Sequence, residues 1–262
     1  MTQIAKNIYS VEGLEIPIPG VNITPYIVQE DDNGEDLTLI DTGYISEMPK
    51  FETYLDSIGL KLKNIKRIIL THLHIDHIQA ANYIKKISNA KIYSHWLEAP
   101  FISKNIPYPG PPSQSTLQQI YDQNNLKIDD ILKRFGRLDA EPIQVDSTLD
   151  DLTKVKSLTV IHTPGHTFGH IALYHEESKI LFGADMFSKN AKYGIIEPTT
   201  DFFIDPLVTS LSIVRTSNKI KFDKLYLSHQ DKPILENANN KMAKIGRSFI
   251  DKIVSQMKSK GL

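Results

Sequence analysis

The chain has 262 residues, with 30 Lys and Arg against 31 Asp and Glu and a formal net charge of −1. That length supports a substantial core, as one α/β domain or at most two small ones, and the charge balance leaves no basic run of the kind duplex binding needs. It has no cysteine, which excludes disulfides, thiolate metal sites and a Cys nucleophile.

Met1 to Gly20 carries acidic residues and prolines where a leader would need an unbroken apolar stretch. No segment has the length of a membrane span. The expectation is a cytoplasmic protein that engages neither membrane nor nucleic acid. Ile23 to Gln29 and Leu37 to Ile40 read as strands around the turn Asp31-Asp32-Asn33-Gly34. Pro49 to Gly59 reads as a helix with Phe51, Tyr54, Leu55 and Ile58 on one face. Arg67 to Leu70 is a buried strand, and the helix after Asp76 carries Ile78, Ala81, Ile84 and Ile87. Lys91 to Ser94 is a further strand. Alternation of this kind favours a layered α/β fold.

Between residues 97 and 145 the pattern breaks. Ile106-Pro107-Tyr108-Pro109-Gly110-Pro111-Pro112 excludes regular structure. Helices are expected at Ser115 to Asn124 and Ile128 to Phe135. The region reads as an insertion in a single domain spanning residues 1–262, either a lid over a site or a helical hairpin covering sheet surface. Strands resume at Leu158 to Ile161, Ile171 to Tyr174, Lys179 to Phe182 and Lys224 to Leu227. Glu236 to Lys258 is amphipathic, with Ala243, Ile250, Ile253 and Met257 as its expected buried positions.

The chemistry concentrates behind Ile68-Ile69-Leu70, in Thr71-His72-Leu73-His74-Ile75-Asp76-His77. Alternate side chains of an extended segment point the same way, so His72 and His74 reach one point together. A helix beginning near Asp76 turns Asp76 and His77 toward a second point. Imidazole and carboxylate are ligands that a borderline divalent cation accepts. Other apolar strands run into His166, Asp185 and His229, and a fifth into Asp41-Thr42-Gly43. Sites in open α/β sheets gather at this carboxyl edge.

Taken together, His72-Leu73-His74-Ile75-Asp76-His77, Thr163-Pro164-Gly165-His166-Thr167-Phe168-Gly169-His170, Gly183-Ala184-Asp185, His229 and Asp41-Thr42-Gly43 resemble the metallo-β-lactamase-fold superfamily. The resemblance runs from about Ile23 to His229. It implies a four-layer αββα sandwich with a helical insertion and a binuclear centre of two divalent metal ions, zinc foremost, with iron or manganese also suited to these donors. Carried over, His72, His74 and His166 hold one ion, Asp76, His77 and His229 the other, and Asp185 bridges them. Asp76 and Asp185 are the catalytic carboxylates, and Asp76 also passes a proton. Asp41 either accepts a hydrogen bond from a ligand imidazole or only caps a turn before Gly43. His170 is expected to pack near the site or make structural hydrogen bonds and His162 to precede a turn, neither as a ligand, and His95 and His175 are expected to be ordinary histidines.

Within the superfamily, Asp185 and the absence of cysteine argue against antibiotic hydrolysis. Only Gln230 to Leu262 follow His229, which argues against glyoxalase II and its glutathione-binding region. Met186-Phe187-Ser188 stands where lactonases often place a Tyr, with Tyr193 a distant substitute. The superfamily's nucleases carry a large inserted domain or a basic exosite, and flavodiiron enzymes a Glu in the motif and a flavin domain; neither pattern is present. The leading expectation is a hydrolase that uses a metal-bridging hydroxide to cleave an ester, thioester or lactone of a small molecule. Its pocket would be partly apolar, with Trp96, Phe101, Tyr108, Phe187, Phe202 and Phe203 as candidates. An iron-dependent persulfide dioxygenase and a metal-stabilised binding protein without turnover are the alternatives. The oligomeric state stays open.

Overall fold

The structure, a computed structural model of the chain, describes residues 1–18, 20–106, 127–137, 139–189, 196–198, 206–229 and 237–259. These form two compact units, Met1–Thr148 and Leu149–Leu262.

Strands of the first unit are β1 (Thr2–Ala5), β2 (Ile8–Ser10), β3 (Leu14–Glu15), β4 (Asn22–Ile23), β5 (Tyr26–Gln29), β6 (Leu37–Ile40), β7 (Ile65–Leu70), β8 (Lys91–His95) and β9 (Ser147–Leu149). Seven of them make one sheet in the order β1-β2-β5-β6-β7-β8-β9, and β3 pairs with β4 alone. The expected single strand from Ile23 to Gln29 is broken at Thr24-Pro25, because Pro25 has no N–H to give a ladder; its carbonyl instead accepts a 2.9 Å bond from Val11 N–H.

The arrangement of β6, β7 and β8 positions the chemistry. They run parallel, which requires crossovers, and α1 (Met48–Ser57) and α3 (Ala81–Ser88) lie within those two connections, with the one-turn helix α2 (Ile75–Ile78) before α3. All four residues of β6 are buried, as are Ile65, Ile68, Ile69 and Leu70 of β7, the near-continuous apolar run that a strand covered on both faces needs. Met48, Phe51, Leu55, Ala81 and Ile84 complete the same core. Ile58 and Ile87, which share helical spacing with these core residues, are exposed; Ile58 lies just past the end of α1 and Ile87 in the last turn of α3.

Of the insertion, α4 (Ala99–Ile102) and α5 (Ile128–Phe135) are described; the helix expected at 115–124 lies outside the described residues. Phe135 is buried and meets the Tyr44 ring edge-on at 5.4 Å, with Ile128 and Ile131 packed on the same core. The second helix of the insertion thus covers the core of the first unit.

Strands of the second unit are β10 (Lys154–Val155), β11 (Leu158–His162), β12 (Ile171–His175), β13 (Ile180–Phe182), β14 (Phe187–Lys189), β15 (Ile196–Pro198) and β16 (Lys224–Tyr226). The sheet order is β10-β11-β12-β13-β16, with β14 and β15 a separate pair. β16 joins β13 in parallel through α6 (Pro206–Lys219), and α7 (Ala238–Ser259) follows. Ile161, Leu181, Leu225, Ile213 and Met242 share one core. The buried positions of α7 are Ala238, Asn239, Met242 and Gly246, all in its first half, whereas Met257 is exposed. No helix among the described residues is long and apolar enough to cross a membrane.

Candidate metal centre

Parallel pairing of β6 with β7 brings the ends of both strands to one edge. Ile40 is in register with Ile69, and Asp41 N–H donates to Ile69 carbonyl at 3.0 Å. Asp41 therefore sits beside Thr71. It takes a left-handed conformation (φ 58°), which Asp tolerates better than most residues.

The Asp41 carboxylate is 2 % exposed and accepts three hydrogen bonds. Thr71 N–H reaches Oδ1 at 2.8 Å, Thr71 hydroxyl reaches Oδ2 at 2.8 Å, and His77 Nδ1–H reaches Oδ2 at 2.7 Å. Thr71 Oγ1, having spent its proton on Asp41, is left to accept from His72 Nδ1–H at 3.1 Å. One carboxylate thus sets the tautomer of two imidazoles, so that His72 and His77 both present Nε2 as the lone-pair atom. Thr42 N–H and hydroxyl clamp His77 carbonyl at 2.8 and 2.9 Å.

The four motif residues converge within the first unit. His72 Nε2 lies 3.0 Å from His74 Nδ1, and the His72 and His77 rings are 4.0 Å apart. Asp76 Oδ2 is 3.7 Å from His77 Nε2. Ligand atoms of His72 and His74, of His72 and His77, and of Asp76 and His77 each fall within 4.8 Å. His72 and His77 are fully buried, and Asp76 keeps 18 % of its side chain exposed. Ring nitrogens brought together at 3.0 Å need a shared proton or a shared cation, so this donor set fits a divalent metal.

The second unit assembles its own three. Gly183 N–H donates to Tyr226 carbonyl at 2.8 Å and Ser228 N–H to Ala184 carbonyl at 3.1 Å. These bonds extend the parallel β13–β16 pairing and carry Asp185 and His229 side by side. Asp185 Oδ2 is 3.4 Å from His166 Nε2 and 3.3 Å from His229 Nε2. Close backbone approach seats His166: a Cβ on Gly165 would fall 2.2 Å from Thr209 Oγ1 of α6, and Ser212 hydroxyl donates to Pro164 carbonyl at 2.6 Å.

His170 is fully buried. Its Nε2 accepts Asp185 N–H at 3.2 Å, so Nδ1 carries the proton and donates to Thr163 Oγ1 at 2.8 Å. It orients Asp185 through the backbone, a structural role in line with the sequence expectation. His162 Nε2–H donates to Phe168 carbonyl at 3.0 Å, His95 Nδ1 accepts Leu97 N–H at 3.3 Å, and His175 Nδ1 accepts Ser178 N–H at 3.2 Å. None of these joins the clusters.

Two features escape sequence reasoning. Thr71 relays the Asp41 charge to His72, and Glu98 accepts Leu73 N–H at 2.8 Å inside the motif. Adjacency to His72 was a usable signal for Thr71; Glu98 had none, being 25 residues away. Of the pocket candidates, Phe187 is core, Trp96 is 51 % exposed, Phe101 is half-buried in α4, and Tyr108, Phe202 and Phe203 lie outside the described residues, as does Tyr193.

The sequence profile of the metallo-beta-lactamase superfamily matches residues 18–229, a span that contains all seven candidate ligands. The chain is 25% identical over 206 residues to the probable metallo-hydrolase YybB of Bacillus subtilis, covering 78% of this chain and 80% of that protein. It is 26% identical over 186 residues to hydroxyacylglutathione hydrolase GloC of Haemophilus influenzae, covering 71% and 74%. The crystal structure of the metallo-beta-lactamase family protein TTHA1429 from Thermus thermophilus superposes with TM-score 0.68 at 20% identity, covering 98% of this chain and 82% of that one. That likeness shows the fold: an α/β sandwich of the metallo-beta-lactamase type.

Proposed function

The chain belongs to the metallo-beta-lactamase superfamily, and we propose that it is a dinuclear metallohydrolase that cleaves an ester, thioester or lactone of a small molecule. In this reading residues 1–262 act as one catalytic domain. His72, His74 and His166 would hold one divalent ion and Asp76, His77 and His229 the other, with Asp185 shared between them. Zinc is the foremost candidate, and the same donors accept iron or manganese. The observation that carries the proposal is the Asp41–Thr71–His72 and Asp41–His77 hydrogen-bond chain. Carboxylate-oriented imidazoles with the outer nitrogen presented are what metal ligation requires.

When bound, a metal pair supplies Lewis acidity at a substrate carbonyl and lowers the pKa of water toward about 7. The chain's own groups do the rest. Asp41 and Thr71 keep the His72 and His77 lone pairs aimed outward, and His170 holds Asp185 by its backbone N–H. Asp76, partly open to solvent, would pass a proton to water in addition to its role as a ligand.

Among the three substrate classes the thioester is favoured by the likeness to GloC, whose name specifies a hydroxyacylglutathione. This revises the expectation against a glutathione substrate, which rested on the few residues after His229. The test is a panel of S-lactoylglutathione, p-nitrophenyl acetate and γ-butyrolactone, assayed before and after chelation. The expected result is hydrolysis of at least one, fastest with the thioester, lost with chelator and restored by added metal. Protein that carries two ions and turns over none of the three would refute the hydrolase assignment.

A further inference from the structure

We propose that Glu98 is a positioning residue for the metal motif, holding the peptide between two ligands from the root of the insertion; this rests on the metal-binding reading above. Glu98 is fully buried. Its Oε2 accepts the N–H of Leu73 at 2.8 Å, and Leu73 is the residue between His72 and His74. The peptide plane that sets the angle between those imidazoles is therefore tied to a carboxylate 25 residues away. A charged acceptor makes this a stronger bond than a neutral one would.

The backbone of Glu98 is itself immobilised. Its N–H donates to His95 carbonyl at 2.9 Å, and its carbonyl accepts Phe101 N–H and Ile102 N–H, each at 3.0 Å, opening α4. Ile143 N–H then donates to Ile102 carbonyl at 3.1 Å. The chain entering the insertion and the chain leaving it are thus fastened to each other at the helix that begins beside Glu98. A group so firmly held at both its backbone and its carboxylate transmits that rigidity to Leu73. Burying a carboxylate is costly. The Leu73 hydrogen bond offsets part of that cost, and two cations beside the neighbouring imidazoles would offset more.

The experiment compares wild type with Glu98→Ala and Glu98→Gln. Metal-free protein is titrated with Zn2+ against a chromophoric chelator, the visible spectrum is recorded after Co2+ substitution, and amide exchange at Leu73 is followed in the metal-free state. Outer partners of metal ligands typically change affinity by about 10–100-fold, and a loss in that range with a shifted Co2+ band is expected for Glu98→Ala. Glu98→Gln keeps a carbonyl acceptor for Leu73 N–H and should recover most of the affinity. Zn2+ binding by Glu98→Ala within about twofold of wild type, or failure of Glu98→Gln to recover, would overturn the assignment. If Glu98→Ala does not fold, Glu98→Asp, which withdraws the carboxylate by one methylene, decides in the same way. Wild-type protein that takes up no metal would refute the metal-binding reading instead. Leu73 exchange would then judge Glu98 alone: faster exchange in Glu98→Ala sustains the positioning role, and unchanged exchange removes it.

Discussion

Asp41 accepts from Thr71 N–H, Thr71 hydroxyl and His77 Nδ1–H while almost fully buried. Removing it strands buried donors, each costing about 1–3 kcal/mol. Asp41→Ala is expected to destabilise the fold by roughly 2–4 kcal/mol, read from urea unfolding of metal-free protein. Asp41→Asn should cost less stability. Its amide would offer N–H to either Thr71 or His77, however, so zinc affinity should still fall by about 10-fold or more. An Asp41→Asn protein that binds zinc like wild type would show that the carboxylate caps a turn and nothing else. At this scale the ligand candidates were readable, because the His72 to His77 motif is local and its spacing dictates direction. The sequence left Asp41 between two roles, since the choice depends on β6 lying in parallel register with β7. Glu98 was invisible for a similar reason: its contact with Leu73 follows from tertiary placement, and no periodicity marks it.

Helix α7 lies against α6 at a glycine. A Cβ on Gly246 would come within 2.8 Å of Ile213 Cγ2, 2.9 Å of Val214 Cγ2 and 3.2 Å of Ser210 carbonyl. Replacing Gly by Ala in a helix gains about 0.5–1 kcal/mol of propensity, and overpacking costs about 1–3 kcal/mol. Gly246→Val, which adds bulk without good helix propensity, is expected to be destabilising by roughly 2–3 kcal/mol, and unchanged denaturation would mean the helices are free to shift. Asp146 fastens other elements, accepting Ile92 N–H of β8 at 2.8 Å and pairing with Lys85 of α3 at 2.6 Å. Burial pushes its carboxyl up, but the Ile92 N–H and the Lys85 ammonium outweigh that and hold it below the usual carboxylate range. A depressed folded pKa means stability that is present above the unfolded value, near 4, and is lost as pH falls through the folded one. Asp146→Asn should therefore cost about 1 kcal/mol at pH 7, with the gap to wild type closing below pH 4 or so. A gap that stays constant across that range would contradict the charge-based account. The α/β crossovers were legible because β6 (Leu37, Leu39, Ile40) and the end of β7 (Ile68-Ile69-Leu70) are rich in buried apolar residues and apolar positions in α1 recur at helical spacing. Strands β1 and β2 were missed, being four and three residues long, too short for alternation to register. The buried stripe of α7 was misplaced because apolar spacing reveals a face and not how far along that face a neighbour extends.

Across the molecule, the first compact unit holds the His72 to His77 cluster with its Asp41 and Glu98 supports, and the second holds His166, Asp185 and His229 with His170. The fold type was readable from this recurrence of ligand-capable residues at strand ends. The choice of substrate was not, because loop side chains that discriminate among esters obey no spacing rule. The proposal on which the rest stands is that these seven side chains hold two metal ions. Native mass spectrometry of protein reconstituted with zinc and desalted tests it most directly. The expected masses correspond to two ions per wild-type chain and to one or none for Asp185→Ala. Wild-type chains that emerge metal-free after exposure to excess zinc, iron or manganese would contradict the account.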